Sequence, residues 1–385
     1  MQEIAPKHTC TGCHACYNIC PTESISMNCD EEGFLYPKID SGKCINCWKC
    51  KKACPVIKDC SGNQKGVAYG CINNDEQTRM DSSSGGVFSL LADTILTDGG
   101  VVYGAAFDDE FNLKHICVES NKELYKLRGS KYIQSTISDT YKTAEAYLKQ
   151  GRKVLFSGTP CQIGGLKAYL DHDYDNLFLV DLICHGVPSQ KVFKIYLDSL
   201  KKNMNTSLSD KSEVRFRDKA NGWYGYSVSV KFDGTHTYCK NKSQDAYMKA
   251  FLNNISLRPS CYNCHYKSVN RQGDITLADF WGVKQQLPEM FDNKGTSLVL
   301  VNTEKGRRIF ENISDSMKFM QVDYDRALKA NTAAYQSCKM PRKRKHFMLS
   351  LDTVDFKKNV ESCTIPRARI WWRMCPPASC LSLWM

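Results

Sequence analysis

One cysteine phrase occurs twice in this sequence. Cys10-x2-Cys13-x2-Cys16-x3-Cys20-Pro21 returns 34 residues later as Cys44-x2-Cys47-x2-Cys50-x3-Cys54-Pro55. Three cysteines in a tight loop wrap three corners of an iron–sulfur cube, and the fourth corner takes a thiolate from further away. In the two-cluster arrangement the fourth cysteine of each run ligates the other cluster. The spacing therefore assigns Cys10, Cys13, Cys16 and Cys54 to one 4Fe–4S cluster and Cys44, Cys47, Cys50 and Cys20 to a second. Each following proline has a fixed φ and no N–H, which turns the chain away from the cluster. Zinc sites use paired C-x2-C knuckles and lack the x3-C-P ending, so a zinc ribbon is the weaker reading.

With 385 residues, 42% of them apolar, the chain can bury a sizeable core in two or three domains. Its 21 cysteines would suit a secreted disulfide scaffold only in a short chain that opens with a signal peptide. Residues 1–9 carry no apolar h-region, and no apolar run reaches the length of a membrane span. The cysteines are read as reduced metal ligands in a cytoplasm, with no transmembrane segment expected. From Arg326 to Met385 there are twelve Lys or Arg against three Asp or Glu, so +9 of the net +11 sits in the last sixty residues. The body is nearly neutral, and each cube with a 2+ core and four thiolates adds about −2. No nucleic-acid partner is expected.

Residues 33–37 read as the short strand and turn between the two cysteine runs, and 61–66 as a polar linker. Cys29 and Cys60 fall outside the ligand set and are expected to be small buried side chains. The pattern then alternates strand and helix. A strand at 67–72 leads to Ser82-Ser83-Ser84-Gly85-Gly86 and a helix over 87–96. A serine–glycine loop opening a helix suits a phosphate, and it equally suits an ordinary N-cap. Further strands are expected at 101–107, 153–156, 177–183, 274–280 and 296–302, and helices at 143–150, 191–203, 245–255 and 305–313. Ser157 to Gln162 reads as a loop between the strand at 153–156 and a helix ending at Leu170. From Glu213 the period drops to two, with Asp233-Gly234 turning a hairpin.

Cys161, Cys184, Cys261 and Cys264 each fall at a strand end or in an adjoining loop. Loops leaving one edge of a sheet converge in space, and four thiolates suffice for a third cube; a zinc knuckle at Cys261-x2-Cys264 and simple burial of Cys184 stay open. Cys71, Cys117, Cys239 and Cys338 have no partner pattern and are expected to be buried. His185 is either a proton donor near a cofactor or a satisfied loop residue. No G-x-G-x-x-G run follows any strand, so a dinucleotide site of that kind is unsupported.

The order of Ser83-Ser84-Gly85-Gly86, Gly129-Ser130-Lys131-Tyr132, Gly158-Thr159-Pro160-Cys161-Gln162, Cys184-His185-Gly186, Phe216-Arg217-x-Lys219 with Gly222-Trp223, Cys261-x2-Cys264, and Asp274-Ile275-Thr276-Leu277 with Asp279-Phe280-Trp281 resembles the coenzyme F420 hydrogenase/dehydrogenase beta-subunit family, preceded by a dicluster ferredoxin domain. The match covers roughly residues 1–340. The resemblance implies an iron–sulfur flavoprotein that binds FAD, some members of which pass a hydride between FAD and F420. It implies a third cluster at Cys161, Cys184, Cys261 and Cys264, and FAD contacts at Ser84, Gly85, Gly86, Lys131, Thr159 and Gln162. Bacterial relatives without a deazaflavin partner are often associated with surface-polysaccharide genes. Two departures stand out. Ala278 replaces a glycine found in many relatives, and the segment after about Cys363, with Trp371-Trp372, Cys375-Pro376-Pro377 and Trp384, does not look like the family. That segment has no Asp or Glu, and a disordered end, a peripheral docking segment and a frame error stay open. Arg342-Lys343-Arg344-Lys345 reads as a solvated charge run, with docking to an acidic electron carrier as the sharper reading.

The expected fold is an α+β ferredoxin-like dicluster domain (1–60), a linker (61–66) and an α/β flavin-binding body with an inserted β-hairpin (67–150 and 151–335), then a basic tail (336–385). The expected function is electron transfer between 4Fe–4S clusters and FAD, with hydride-equivalent transfer to or from a soluble carrier such as coenzyme F420 or an unidentified substrate of polysaccharide biosynthesis; the expected partners are a soluble electron carrier or redox partner protein and a small-molecule hydride acceptor or donor. The alternative is a ferredoxin-like relay subunit of a larger complex, without catalysis of its own.

Overall fold

The computed structural model describes residues 3–58, 62, 63, 65–234 and 236–364. Two strands, β1 (Ile25–Cys29) and β2 (Leu35–Ile39), form the antiparallel hairpin of the cysteine-rich domain. Most of the body is one eight-stranded sheet made of β3 (Val67–Asn73), β4 (Val101–Phe107), β5 (Leu113–Val118), β6 (Val154–Gly158), β7 (Leu177–Leu182), and three later strands. Between β7 and those strands the chain inserts β8 (Glu213–Asp218), β9 (Ser227–Lys231) and β10 (Thr237–Asn241); it then returns with β11 (Ile275–Asp279), β12 (Ser297–Val301) and β13 (Met317–Val322).

The sheet order is β13-β3-β12-β11-β7-β6-β4-β5. Strands β4, β6, β7 and β11 are mutually parallel, and β5, β12 and β13 run against their neighbours. Both faces of the parallel strands are covered, so their sequences are continuous apolar runs: Val154, Leu155 and Phe156 are fully buried. Because β3 is two antiparallel steps from β11, its carboxyl end opens on the same edge as those of β4, β6, β7 and β11. That edge is where an open α/β sheet presents its ligand crevice. Strands from both sides of residue 150 share this sheet, so 67–150 and 151–335 form one layer rather than two.

Several expectations are corrected. The insert is a three-stranded antiparallel sheet, β10-β9-β8, rather than a lone hairpin. A two-stranded ribbon is marginal alone, and the third strand gives it a face to pack on Phe193 and Tyr247. Pro160, Cys161 and Gln162 lie in the first turn of the helix Pro160–Leu170, not in a loop, because Pro fits N1 and Thr159 with Gln162 makes a capping box. Cys29 and Cys239 are exposed, one on the small N-terminal hairpin and one on the edge strand β10. Residues 336–364 are not a loose tail. The helices Arg344–Leu349 and Phe356–Cys363 bury Phe347, Met348, Phe356 and Val360 in the body. Cys60, parts of the linker, and Trp371, Trp372, Cys375 and Trp384 lie outside the described residues.

Buried arginines fasten the cysteine-rich domain to the body. Arg344, inside the run expected to be solvated, is buried and grips Glu32 through two parallel hydrogen bonds of 2.8 and 2.6 Å. Arg258 donates to the Cys10 carbonyl at 2.9 Å, the Leu35 carbonyl at 3.0 Å and Gln134 Oε1 at 2.9 Å. Ser189 Oγ donates to the Glu32 carbonyl at 2.6 Å.

Candidate redox site

The duplication in sequence is a duplication in backbone. His14 (φ 63°) and Trp48 (φ 62°) are both left-handed, 34 residues apart, each opening a one-turn helix, Ala15–Asn18 and Lys49–Lys52; Gly12 and Asn46 are a second such pair. These turns aim the thiols inward. Cys10, Cys13, Cys16 and Cys54 line one small pocket, and Cys20, Cys44, Cys47 and Cys50 line another. Within the first group the thiols interact electrostatically in every pair. The fourth cysteine of each run is thus brought to the other run's three.

Burial pushes the Cys13 thiol up to about 12 and the Cys16 thiol well above its ordinary range, and the neighbouring cysteines push the same way. Cys20 differs: burial acts to raise it, but hydrogen bonds from Ser24 and Thr22 hold its thiol below the ordinary value. Converging buried thiolates need a cationic core to exist, and the donor set fits iron–sulfur clusters. Among the described residues no three His, Cys, Asp or Glu side chains converge tightly enough for one metal ion.

Cys161, Cys184, Cys261 and Cys264 are also brought together. Cys161 comes from the helix after β6, Cys184 from the loop after β7, and the other two from the short helix Pro259–Asn263 and its exit. Every pair among the four interacts electrostatically; burial, then the neighbouring thiols, push Cys161 well above its ordinary range and Cys261 to about 12. Lys267 Nζ donates to the Cys184 and Ala333 carbonyls, which sets a cation beside the group. Cys338 lies nearby, with Sγ 3.6 Å from His185 Nε2, while His185 is satisfied by Asn254 Oδ1 at 2.7 Å. Cys71 is buried and Cys117 is half-buried.

The remaining motifs meet at the carboxyl edge. The Ser82–Gly86 loop follows β3 and the helix Glu76–Asp81, and Gly86 (φ 84°) opens the helix Val87–Thr97 with no side-chain cap. Ser84 Oγ donates to the Thr296 carbonyl at 3.0 Å, and the Gly85 N–H to Ser297 Oγ at 2.9 Å. Ser83 Oγ accepts from the Ser130 N–H at 2.6 Å, which joins this loop to the one carrying Lys131. The role of Phe216-Arg217-x-Lys219 was not legible beforehand. Arg217 forms a bidentate pair with Asp279 at 2.7 and 3.0 Å and lies over the Tyr226 ring at 4.0 Å; Trp223 Nε1 donates to the same carboxylate at 2.8 Å. Lys219 Nζ donates to the carbonyls of Arg79, Ser84 and Lys294, clamping the serine–glycine loop. Burial lowers Lys131 to about 7, and burial with Arg79 and Arg217 lowers Lys219 to about 7.

A family model described as the C terminus of the coenzyme F420 hydrogenase/dehydrogenase beta subunit matches residues 151–326, and one for the 4Fe–4S dicluster domain matches residues 9–57. The chain carries both domains. Among similar proteins, an uncharacterized protein of Methanocaldococcus jannaschii is 27% identical over 46% of this chain and 57% of its own length. The coenzyme F420-dependent sulfite reductase of the same organism is 23% identical over 80% of this chain and 46% of its own length. The chain thus spans about half the length of these curated relatives. A solved chain of the F420-reducing NiFe hydrogenase complex from Methanosarcina barkeri has a TM-score of 0.49 and 19% identity, covering 71% of this chain and 90% of that one. No described helix is long and apolar enough to cross a membrane.

Under the Thr159 loop of the beta-subunit domain lies a closed polar chain. The Thr159 N–H donates to Gln162 Oε1 at 3.0 Å, and Gln162 Nε2 donates to Ser135 Oγ at 3.0 Å. Ser135 Oγ lies 2.9 Å from His115 Nδ1, and His115 Nε2 lies 2.9 Å from the Ser157 carbonyl. A carbonyl only accepts, so Nε2 carries a proton. Burial, with the Lys131 charge adding to it, pushes His115 from 6.5 down to about 4. Between those values the unfolded chain binds a proton that the folded chain does not, so stability falls as pH drops through that window, by about 3 kcal/mol in all. Urea midpoints at pH 7 and pH 5 are expected to differ less in His115→Gln than in the unaltered chain.

Proposed function

We propose that the chain is an iron–sulfur flavoprotein oxidoreductase, with three 4Fe–4S clusters held by the three cysteine groups and FAD at the carboxyl edge, exchanging a hydride equivalent with a soluble carrier such as coenzyme F420. The observation that carries this reading is at Gly165. A Cβ there would lie 2.8 Å from Cys13 Cβ and 3.0 Å from Cys13 Sγ. Gly165 is one helical turn beyond Cys161, so the absence of a side chain lets the inner ferredoxin group press against the helix that carries the third group. Tyr141, whose Oη donates to the Gln162 carbonyl at 2.7 Å, fills the remaining space between Cys13 and Cys161. The inner ferredoxin group thus touches the helix that carries Cys161, which supports an electron path from the first group to the third.

When bound, the clusters and FAD supply the one-electron and two-electron chemistry. The chain supplies spacing and orientation. The uncapped N-terminus at Gly86 suits a phosphate, with Ser84 and Gly85 shaping the turn through their bonds to β12 and the residue before it. Lys131 Nζ donates to the carbonyls of Leu127, Arg128 and Gly129, and would place a proton donor next to a bound flavin. Thr159 Oγ1 donates to Gln162 Oε1 at 3.0 Å and lies 3.2 Å from Cys161 Sγ, so buried Gln162 acts by holding Thr159 beside the third cysteine group. Reduced thiols in such number fit a cytoplasmic setting. The F420-dependent sulfite reductase, which aligns with most of this chain, supports F420 as the first carrier to try.

Anaerobic purification with iron, sulfide and flavin measured on one sample tests this. About twelve irons and one FAD per chain are expected, with F420 reduced or oxidised by the loaded protein. A brown protein without flavin would favour the relay-subunit reading, and a colourless zinc protein would remove the electron path altogether.

A further inference from the structure

The two cysteine copies share a backbone but not a surface. In the inner copy, the Thr11 carbonyl accepts from Gln134 Nε2 at 2.8 Å, and Thr11 and His14 are 7% and 3% exposed against the body. Their counterparts 34 residues on are Ile45 and Trp48, which are 63% and 46% exposed. The face by which one copy docks internally is presented to solvent by the other. Residues 7–24 contain one lysine and one glutamate, whereas the equivalent residues 41–58 contain five lysines (Lys43, Lys49, Lys51, Lys52, Lys58) and no Asp or Glu.

We propose that this outer face docks an acidic electron-carrier protein of ferredoxin size, over the group Cys20, Cys44, Cys47 and Cys50. The proposal rests on the reading that those cysteines hold a cluster. Ile45 and Trp48 form an apolar centre with lysines around it, the layout of a protein interface with a charged rim. Lys51 Nζ sits 4.9 Å over the Trp48 ring and holds it in place. Lys49, Lys51, Lys52 and Lys58 also line an open groove against Tyr169 and Asp171; its single acid, Asp171, is paired with Lys58. A cluster with four thiolates contributes about −2, which leaves the five-lysine face net positive. A positive face steers an acidic partner and aligns it over the exposed Cys47. The transfer moves one electron, with no bond made and no proton exchanged: the carrier is oxidised by one electron and this chain is reduced by one.

The test measures binding of a purified acidic plant-type 2Fe–2S ferredoxin to the anaerobically purified full chain by calorimetry, at about 0.05 M and about 0.3 M salt. Affinity is expected to fall about tenfold or more with added salt, and by as much in the triple variant Lys49→Gln, Lys51→Gln, Lys52→Gln, with iron content unchanged. Trp48→Ser is expected to weaken binding at both salts. The control Lys194→Gln, Lys201→Gln, Lys202→Gln is expected to bind as the unaltered chain does. Full iron with equal affinity in the triple variant overturns the docking face and leaves the cluster reading standing. Equal losses in the control, or a short DNA duplex bound as tightly by the same lysines, likewise overturn it. An iron-free chain overturns both readings together.

Discussion

Cys54→Ala is expected to lower the iron content by about four atoms per chain, one whole cube, although Cys54 belongs by sequence to the second cysteine run. Its thiol lies with Cys10, Cys13 and Cys16 rather than with its own run. Non-additivity exposes the crossing. Cys54→Ala combined with Cys13→Ala removes two corners of the same cube, so the pair is expected to lose no more iron than either variant alone. Cys54→Ala combined with Cys47→Ala is expected to lose about eight. If Cys54 served its own run, the two results would exchange places. Iron and acid-labile sulfide on anaerobic samples read the outcome directly, and Cys20→Ala with its reciprocal partners repeats the test from the other side.

The crossed grouping of the thiols was legible because the repeated x2, x2 and x3-C-P spacing is that of the two-cluster run, whose fourth cysteine turns to the other loop. The strand–turn–helix around Thr159 was legible for a similar local reason, and the strand 101–107 matched residue for residue, bounded by Gly99-Gly100 and a following Asp108. What escaped was long-range polar pairing. Arg344 sits in a run of four basic residues, and nothing near it in sequence announces that Glu32, 312 positions earlier, takes its guanidinium. Gln162 matched a ligand-binding phrase, yet its amide is consumed within the fold by Thr159 and Ser135. Arg217 and Lys219 were visible only as part of a motif; their work of pinning Asp279 and the Ser82–Gly86 loop needs the insert folded against the sheet. The exposed Cys29 and Cys239 failed for the opposite reason, since burial of a lone cysteine is a statistical expectation with no geometry behind it.

The arginine that joins the two domains carries the second large effect. Arg258→Met is expected to destabilise the chain by about 3 kcal/mol or more, because the apolar replacement leaves the Cys10 and Leu35 carbonyls and Gln134 Oε1 without their donor in a dry interface. Its guanidinium also lies 4.3 Å over the Tyr36 ring, so the loss includes packing. Arg258→Lys is expected to recover little: one ammonium cannot present a planar fork to acceptors on three different segments. Since two of those acceptors belong to the cysteine-rich domain, undocking is expected before global unfolding. Protease cleavage near residues 59–66 should then rise in both variants while far-ultraviolet circular dichroism stays unchanged, and air exposure should bleach the group at Cys10 faster. Arg344→Met, which removes the grip on Glu32 and the Leu257 carbonyl and the contact over the Tyr262 ring, is expected to show the same pattern at smaller amplitude. A urea midpoint for Arg258→Met indistinguishable from that of the unaltered chain would mean the domains are held by their apolar contacts alone, and the arginine clamp would lose its standing as the joint that keeps the inner cysteine group against Gly165.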